Sequence, residues 1–69
     1  MKKINAEAIR DLTLRAISDL TRILLVSKDS CTEEEFHDLK RGVGSSIGHI
    51  EMDILSKVYS QYPELDDIG

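Results

Sequence analysis

The sequence predicts an all-α fold, an antiparallel two-helix hairpin that dimerises into a four-helix bundle. Apolar residues recur at steps of three and four along two long segments. A short polar loop separates these segments, and the single proline, Pro63, comes after both of them. The 69-residue chain has one cysteine, so no intrachain disulfide is possible, and it has too few Cys and His residues for a four-ligand zinc site. Assembly is the remaining common way to stabilise so small a core.

Helix one is predicted over about residues 6–27. Asn5 is the candidate N-cap, and Glu7 places a negative charge in the first turn, where the helix dipole favours it. The helix is predicted to end near Lys28, whose charge suits a C-terminus. The stripe predicted to face the second helix consists of Ile9, Leu12, Ala16, Leu20, Ile23 and Leu24, with Ala8 and Ile17 beside it.

The start of helix two has the clearest local signal in the chain. Residues 29–31 form a loop, and Thr32 is followed three positions later by Glu35, which is the pattern of a capping box. Cys31 and Phe36 occupy the positions of a hydrophobic staple around that cap. The helix is therefore predicted to begin at residue 33.

Helix two is predicted over about residues 33–62, and an acidic tail follows over 63–69. Its apolar stripe consists of Phe36, Leu39, Val43, Ile47, Ile50, Ile54 and Val58. Pro63 ends the helix, because the residue before a proline disfavours helical geometry. Leu65 and Ile68 are the points at which the tail is expected to dock.

Three glycines, Gly42, Gly44 and Gly48, fall inside helix two and each costs about 1 kcal/mol relative to alanine. One interpretation breaks the helix there and gives three helices. The apolar steps stay in helical phase through the glycines, which favours one continuous helix, since a loop has no reason to preserve that phase.

Both helices also carry apolar or small residues that lie off the hairpin stripe. These predict the contact between two copies: Leu14, Leu25, Gly44, Gly48, Met52, Leu55 and Tyr59. Two hairpins in a C2 dimer close a core that one hairpin leaves open. The alternative is that the glycines only mark a kink.

Composition and charge predict a cytoplasmic protein with no membrane contact. A secretory segment needs an apolar stretch of about 7–15 residues after a basic start, and here charged residues follow within the first turn. The longest aliphatic run, residues 23–26, is far below the roughly 18 residues of a membrane span. The net charge of −4 argues against nonspecific binding to nucleic acid or anionic lipid.

No motif predicts a catalytic residue, a cofactor or a metal. The spacing Glu34-x-x-His37 occurs in di-iron carboxylate bundles, but such a site needs further inward-facing Glu residues, and capping explains these acids more simply. His49 and Asp53 are four residues apart, which predicts a surface ion pair.

The predicted function is therefore that of a small non-enzymatic interaction or regulatory protein that acts as a homo-oligomer. Its partners are a second copy and, beyond that, another protein. The alternative is a small nucleic-acid-binding regulator of the dimeric hairpin type, with phosphate contacts from Arg15, Arg22, Lys40 and Arg41. Asp11 lies four residues before Arg15, and Asp19 lies three residues before Arg22, which predicts ion pairs on the helix surface and disfavours that alternative.

Overall fold

The computed structural model describes residues 1–66 and consists of two helical rods joined by a short loop. The first rod is helix α1, Lys3–Ser27. The second rod comprises α2 (Glu33–Ile50), a π-helical turn (Glu51–Leu55) and α3 (Ser56–Gln61), and a 3-10 turn (Pro63–Leu65) follows it. Residues 1–66 contain no strand. The all-helical class and the two-helix organisation predicted from the sequence are confirmed.

Helix α1 begins earlier than the sequence predicts. It starts at Lys3, and Lys2 occupies the N-cap position with no side-chain cap hydrogen bond. Asn5, the predicted cap, lies inside the first turn and is exposed. The start of α1 is therefore held by contacts with the rest of the chain and not by a capping side chain.

Those contacts define one end of the hairpin, residues 1–10 with 58–66, which we call the closed end. The amino group of Met1 donates to Oε1 of Gln61 at 3.0 Å, and the hydroxyl of Tyr62 donates to the carbonyl of Met1 at 2.6 Å. Arg10 reaches across with Nη1 to the carbonyl of Leu65 at 3.3 Å. Because these bonds join the beginning of one rod to the end of the other, the rods run antiparallel.

A small apolar core lies at the closed end. Ala6, Val58 and Leu65 are buried there, and Ile9, Tyr59 and Tyr62 pack against them. The docking of Leu65 confirms one of the two contacts expected of the acidic tail. The other predicted docking residue, Ile68, lies outside the described residues.

The face that α1 turns toward the second rod is rotated from the predicted stripe. The shielded positions step by three and four along the helix: Ala6, Ile9, Thr13, Ile17, Leu20, Leu24 and Ser27. Leu12, predicted to be in that stripe, is 67% exposed, and Ile23 is exposed as well. Thr13 can lie buried because its hydroxyl donates to the carbonyl of Ile9 at 2.6 Å.

Helix α2 runs without a break through Gly42, Gly44 and Gly48, all of which have negative φ. The in-phase apolar steps predict this continuity. The capping box is also confirmed. The N–H of Glu35 donates to Oγ1 of Thr32 at 3.1 Å, and the N–H of Thr32 donates to Oε1 of Glu35 at 2.9 Å.

The π turn at Glu51–Leu55 changes the helical phase of the second rod. The predicted stripe passes from Ile50 to Ile54, but Ile54 is 41% exposed, whereas Leu55 is only 6% exposed. A π turn closes its hydrogen bonds over five residues instead of four, so it inserts one residue into the helical repeat. Leu55 therefore takes the core position that the sequence pattern assigns to Ile54.

The hairpin is elongated. Its extents are 45 × 21 × 16 Å and its radius of gyration is 14.6 Å, against about 11 Å for a compact domain of this length. An α-helix with side chains is about 10–12 Å across, so the shortest extent is less than two helix diameters and the two rods form a single layer. Neither rod of the described chain is long and apolar enough to cross a membrane.

Candidate functional site

An open groove of about 480 Å³ lies between α1 and the second rod, beside the π turn. Its apolar wall is formed by Leu14, Ile17 and Leu55. Its polar lining comes from four further residues: Glu51, Ser56, Tyr59 and Asp66. Small-molecule sites commonly combine such an apolar wall with a few polar groups, in volumes of about 300–1,000 Å³.

The polar lining contains one buried atom without a partner. The hydroxyl of Tyr59 is shielded from solvent and has no hydrogen-bond partner among residues 1–66. The hydroxyl of Ser56, in contrast, donates to the carbonyl of Met52 one turn earlier. Most buried polar atoms in folded proteins are hydrogen-bonded, so the unpaired hydroxyl of Tyr59 is an exception to that rule within the described chain.

The π turn builds one side of this groove. Glu51 and Leu55 are its first and last residues, and both line the cavity. The extra residue turns Leu55 toward α1, which supplies an apolar wall, while Glu51 stays exposed at the rim. Single π turns inside α-helices occur frequently at functional sites.

A second candidate surface lies on the opposite side of the hairpin, and we call it the Leu12 face. It consists of Leu12, Ala16 and Ile23 on α1 with Leu39, Ile50 and Ile54 on the second rod. Steps of four, seven and eleven residues place members of each set on one side of a helix, and the π turn brings Ile54 into line with Ile50. All six are exposed except Ile50, which is half-buried.

Sequence positions show that the groove and the Leu12 face lie on different sides. Leu12 and Leu14 flank the buried Thr13, so they point about 100° to either side of it, and Leu14 lines the groove. On the second rod, Ile50 directly precedes the groove residue Glu51. The hairpin therefore offers two separate surfaces, one concave and one apolar.

Three of the seven residues predicted to contact a second copy line the groove. Leu14 is half-buried there, Leu55 is buried, and Tyr59 packs against the core of the closed end. Leu55 thus belongs to the interior of a single chain and is not offered at the surface.

The other four predicted contact residues lie at the surface. Leu25 and Met52 are exposed, as are Gly44 and Gly48. A Cβ atom added at either glycine would meet nothing within 4 Å. A single hairpin therefore does not need glycine at these positions, and a role for them in contact with a second copy stays a prediction.

The residues weighed for metal or acid–base chemistry lie apart on the surface. Glu34 and His37 are both exposed in the first turn of α2. No group of three or more metal-binding side chains comes together within residues 1–66. His49 places Nδ1 4.0 Å from Oδ2 of Asp53, which is the predicted surface pair.

The ion pairs on α1 differ in part from the predicted ones. Arg22 lies 4.0 Å from Asp19, as its spacing predicts. Asp11, however, accepts from Nε of its neighbour Arg10 at 3.0 Å and not from Arg15, because Arg10 is held beside it by the contact with the tail.

The basic side chains considered for nucleic acid do not gather on one surface. All four are exposed: Arg15, Arg22, Lys40 and Arg41. Arg15 lies two residues after the buried Thr13, which turns it about 200° away from the second rod, and Arg22 is two turns further on the same side. Arg41 lies two residues before the buried Val43 and so points from the back of the other rod.

No protein-family model matches this chain, and neither does any curated protein or solved structure. Its function is therefore inferred from the two surfaces described above.

Proposed function

We propose that this chain is a non-enzymatic interaction protein of the cytoplasm that works as a homodimer. Two hairpins pack through the Leu12 face and form a four-helix bundle. The observation that supports this is an excess of exposed area. The chain exposes 5277 Å², whereas a folded monomer of 7.8 kDa exposes about 4,400 Å². The difference of roughly 900 Å² is close to the ~800 Å² that each partner contributes to a stable interface.

The distribution of apolar side chains supports the same proposal. Among residues 1–66, the buried hydrophobic residues are few: Ala6, Val43, Leu55, Val58 and Leu65. Nine large ones are exposed: Met1, Ile4, Leu12, Ile23, Leu25, Val26, Leu39, Met52 and Ile54. A chain that leaves more large apolar side chains outside its core than inside it gains from covering them.

The shape of the Leu12 face favours a second copy over an unrelated partner. The face is contributed by both rods of a layer that is 16 Å thick. A two-fold rotation stacks such a layer on itself, since an isologous contact needs only one self-complementary surface. Ala16 is a small residue on this face and Ser46 is a small residue beside it, and they leave space into which Leu12 and Leu39 of the other copy can insert.

Sedimentation equilibrium over a range of concentrations tests the proposal. The wild-type chain is expected to have twice the monomer mass at high concentration and to dissociate on dilution. Leu12→Glu buries one unpaired charge from each copy in the dimer, at a total cost of at least about 3 kcal/mol, and should raise the dissociation constant at least about a hundredfold. Helical content measured by circular dichroism should stay unchanged, because Leu12 contributes little to the fold of one chain.

Leu25→Glu is the matched control. Leu25 is 70% exposed, much like Leu12, but it follows the half-buried Leu24 and so points to the groove side of α1. Its substitution should leave the dimer intact. A wild-type chain that stays monomeric at high concentration would contradict the proposal. If Leu25→Glu dissociates the dimer and Leu12→Glu does not, the contact between copies lies on the side of the hairpin that carries Gly44 and Gly48.

A further inference from the structure

We propose that the groove beside the π turn binds a small organic ammonium ion with an apolar body. The apolar body packs on Leu14, Ile17 and Leu55, and the ammonium group faces the carboxylates of Glu51 and Asp66. This site lies away from the Leu12 face, so the proposal stands independently of the proposed dimer.

The charges at the groove select a cation. Glu51 and Asp66 both line it, and no Lys or Arg side chain among residues 1–66 does. Neither carboxylate forms an ion pair with another part of the described chain. Arg10, whose guanidinium lies beside the tail, is already bonded to Asp11 and to the carbonyl of residue 65. The groove therefore presents uncompensated negative charge to whatever enters it.

The lining favours a ligand that also has an apolar part. The three aliphatic side chains of the wall exclude a bare hydrated ion, because its hydration shell finds few partners there. A ligand that covers the wall with hydrocarbon and keeps its charged end at the rim satisfies both parts of the lining.

Tyr59 supplies the third element of the site. Tyr59 lines the groove, and its hydroxyl is buried without a partner in the described chain. An ammonium group carries three donor hydrogens and no acceptor, so it can bond both to carboxylates and to a phenolic oxygen. The proposal requires the Tyr59 side chain to rotate on binding, so that this oxygen, which is shielded in the free chain, accepts a hydrogen bond from the occupant. That bond removes the cost of leaving the oxygen unpaired.

Titration of the ¹⁵N-labelled full chain with three matched probes tests the proposal by NMR. The probes are 4-phenylbutylammonium, the neutral 4-phenylbutanol and the anionic 4-phenylbutyrate. The ammonium should produce saturable shifts at Leu14, Ile17, Leu55 and Tyr59. It should bind about tenfold more tightly than the alcohol, because hydrogen bonds to charged groups are the stronger ones. The carboxylate should produce no saturable shift.

Three variants locate the charge selectivity. The double variant Glu51→Gln/Asp66→Asn should bind the ammonium and the alcohol equally, since it keeps the shape of the lining and removes its charge. Asp53→Asn is the control, because Asp53 lies on the same rod but pairs with His49 outside the groove. It should keep the tenfold preference. Tyr59→Phe should weaken ammonium binding several-fold without loss of helical content.

Equal affinity of the wild-type chain for the ammonium and the alcohol would overturn the proposal, as would shifts that map to Leu12 and Leu39. Groove resonances that respond to protein concentration and to none of the probes would assign the groove to a second copy, which also overturns it. Sedimentation with and without the ammonium probe should give the same mass. Sedimentation therefore tests the proposed dimer and the NMR titration tests the proposed ligand site, so either proposal can be contradicted without the other.

Discussion

The closed end and the loop end of the hairpin are stabilised in different ways. At the closed end, Ala6, Val58 and Leu65 bury each other, and the hydrogen bonds join residues 55 to 61 positions apart. At the loop end, the backbone N–H groups of Ser30 and Cys31 both donate to the carbonyl of residue 27, and the capping box joins residues three apart.

The loop end therefore depends on local geometry and the closed end on tertiary packing. Val43 is the buried apolar residue of the second rod nearest the loop, and between it and the loop Phe36 is only half-buried and Leu39 is exposed. Local bonds determine where the helices start, but they do not by themselves hold two rods together. Substitutions at the closed end should accordingly have the larger effect on unfolding.

Leu65→Ala should have the largest effect. It removes a buried side chain from the closed end and should lower the free energy of unfolding by about 3 kcal/mol, since the site loses both transfer energy and packing. Chemical denaturation at a protein concentration that keeps the chain monomeric gives the value. Leu39→Ala near the loop end is the control, because Leu39 is 37% exposed, and it should cost less than about 1 kcal/mol. Equal losses for the two variants would remove the distinction between the ends.

Thr32→Ala tests the local stabilisation of the loop end. Loss of the cap hydrogen bond to Glu35 should cost about 1 kcal/mol, measured as a lower melting midpoint. Thr21→Ala is a matched control, since that hydroxyl donates within α1 to the carbonyl of residue 17 and caps nothing. The control should be neutral or slightly stabilising because alanine is the better helix former. A melting midpoint of Thr32→Ala equal to that of the wild type would contradict the stabilising role of the capping box.

Gly42→Ala and Gly44→Ala should each raise the free energy of unfolding by about 0.7 kcal/mol. Both glycines have helical φ and open space where a Cβ would lie, so alanine costs nothing in the folded chain and restricts the unfolded one. Thermal melting of the two variants side by side measures this. If Gly44→Ala instead weakens the dimer while Gly42→Ala does not, Gly44 lies in a contact between copies.

Lys3→Met should have the smallest effect, within about 0.5 kcal/mol. The Nζ of Lys3 lies 3.9 Å from Oε1 of Glu64, and both side chains are about half exposed, so water and salt screen the pair. Denaturation midpoints in low and high salt check this. A loss of more than 1 kcal/mol would mean that charge, and not apolar packing, holds the closed end.

Features encoded within a few residues could be predicted from the sequence. The capping box of Thr32 and Glu35 is one example, and Pro63, which follows directly after the end of the second rod, is another. It is harder to predict which residues of each rod face the other rod. Thr13 takes a position where an apolar residue is expected, because its hydroxyl donates a hydrogen bond to a carbonyl of its own helix. Leu55 takes the position of Ile54 because of a π turn, and that turn contains no Gly or Pro by which it could be predicted.

The candidate site was predicted only in part. Leu14, Leu55 and Tyr59 stand out in the sequence because they lie off the apolar stripe, but the pattern alone assigns them to a contact between copies. Glu51 and Asp66 carry no such signal, since single acids on a helix and in a tail resemble ordinary solvated surface. Their meeting in one groove follows from the tertiary fold, which brings the tail back beside the π turn.

The number of residues in the π turn determines which later side chains face α1, and so it determines the contact between the two ends of the chain. Because of the π turn, the second rod contains one residue more than a continuous α-helix would need to bring Leu55 and Val58 to the same positions. Deleting Met52 would remove that extra residue and leave a continuous α-helix, in which Leu55 and Val58 keep their positions against α1. If the same turn became α-helical with all of its residues present, everything beyond it would rotate by about 100°, and Val58 and the tail would lose their contact with Ala6.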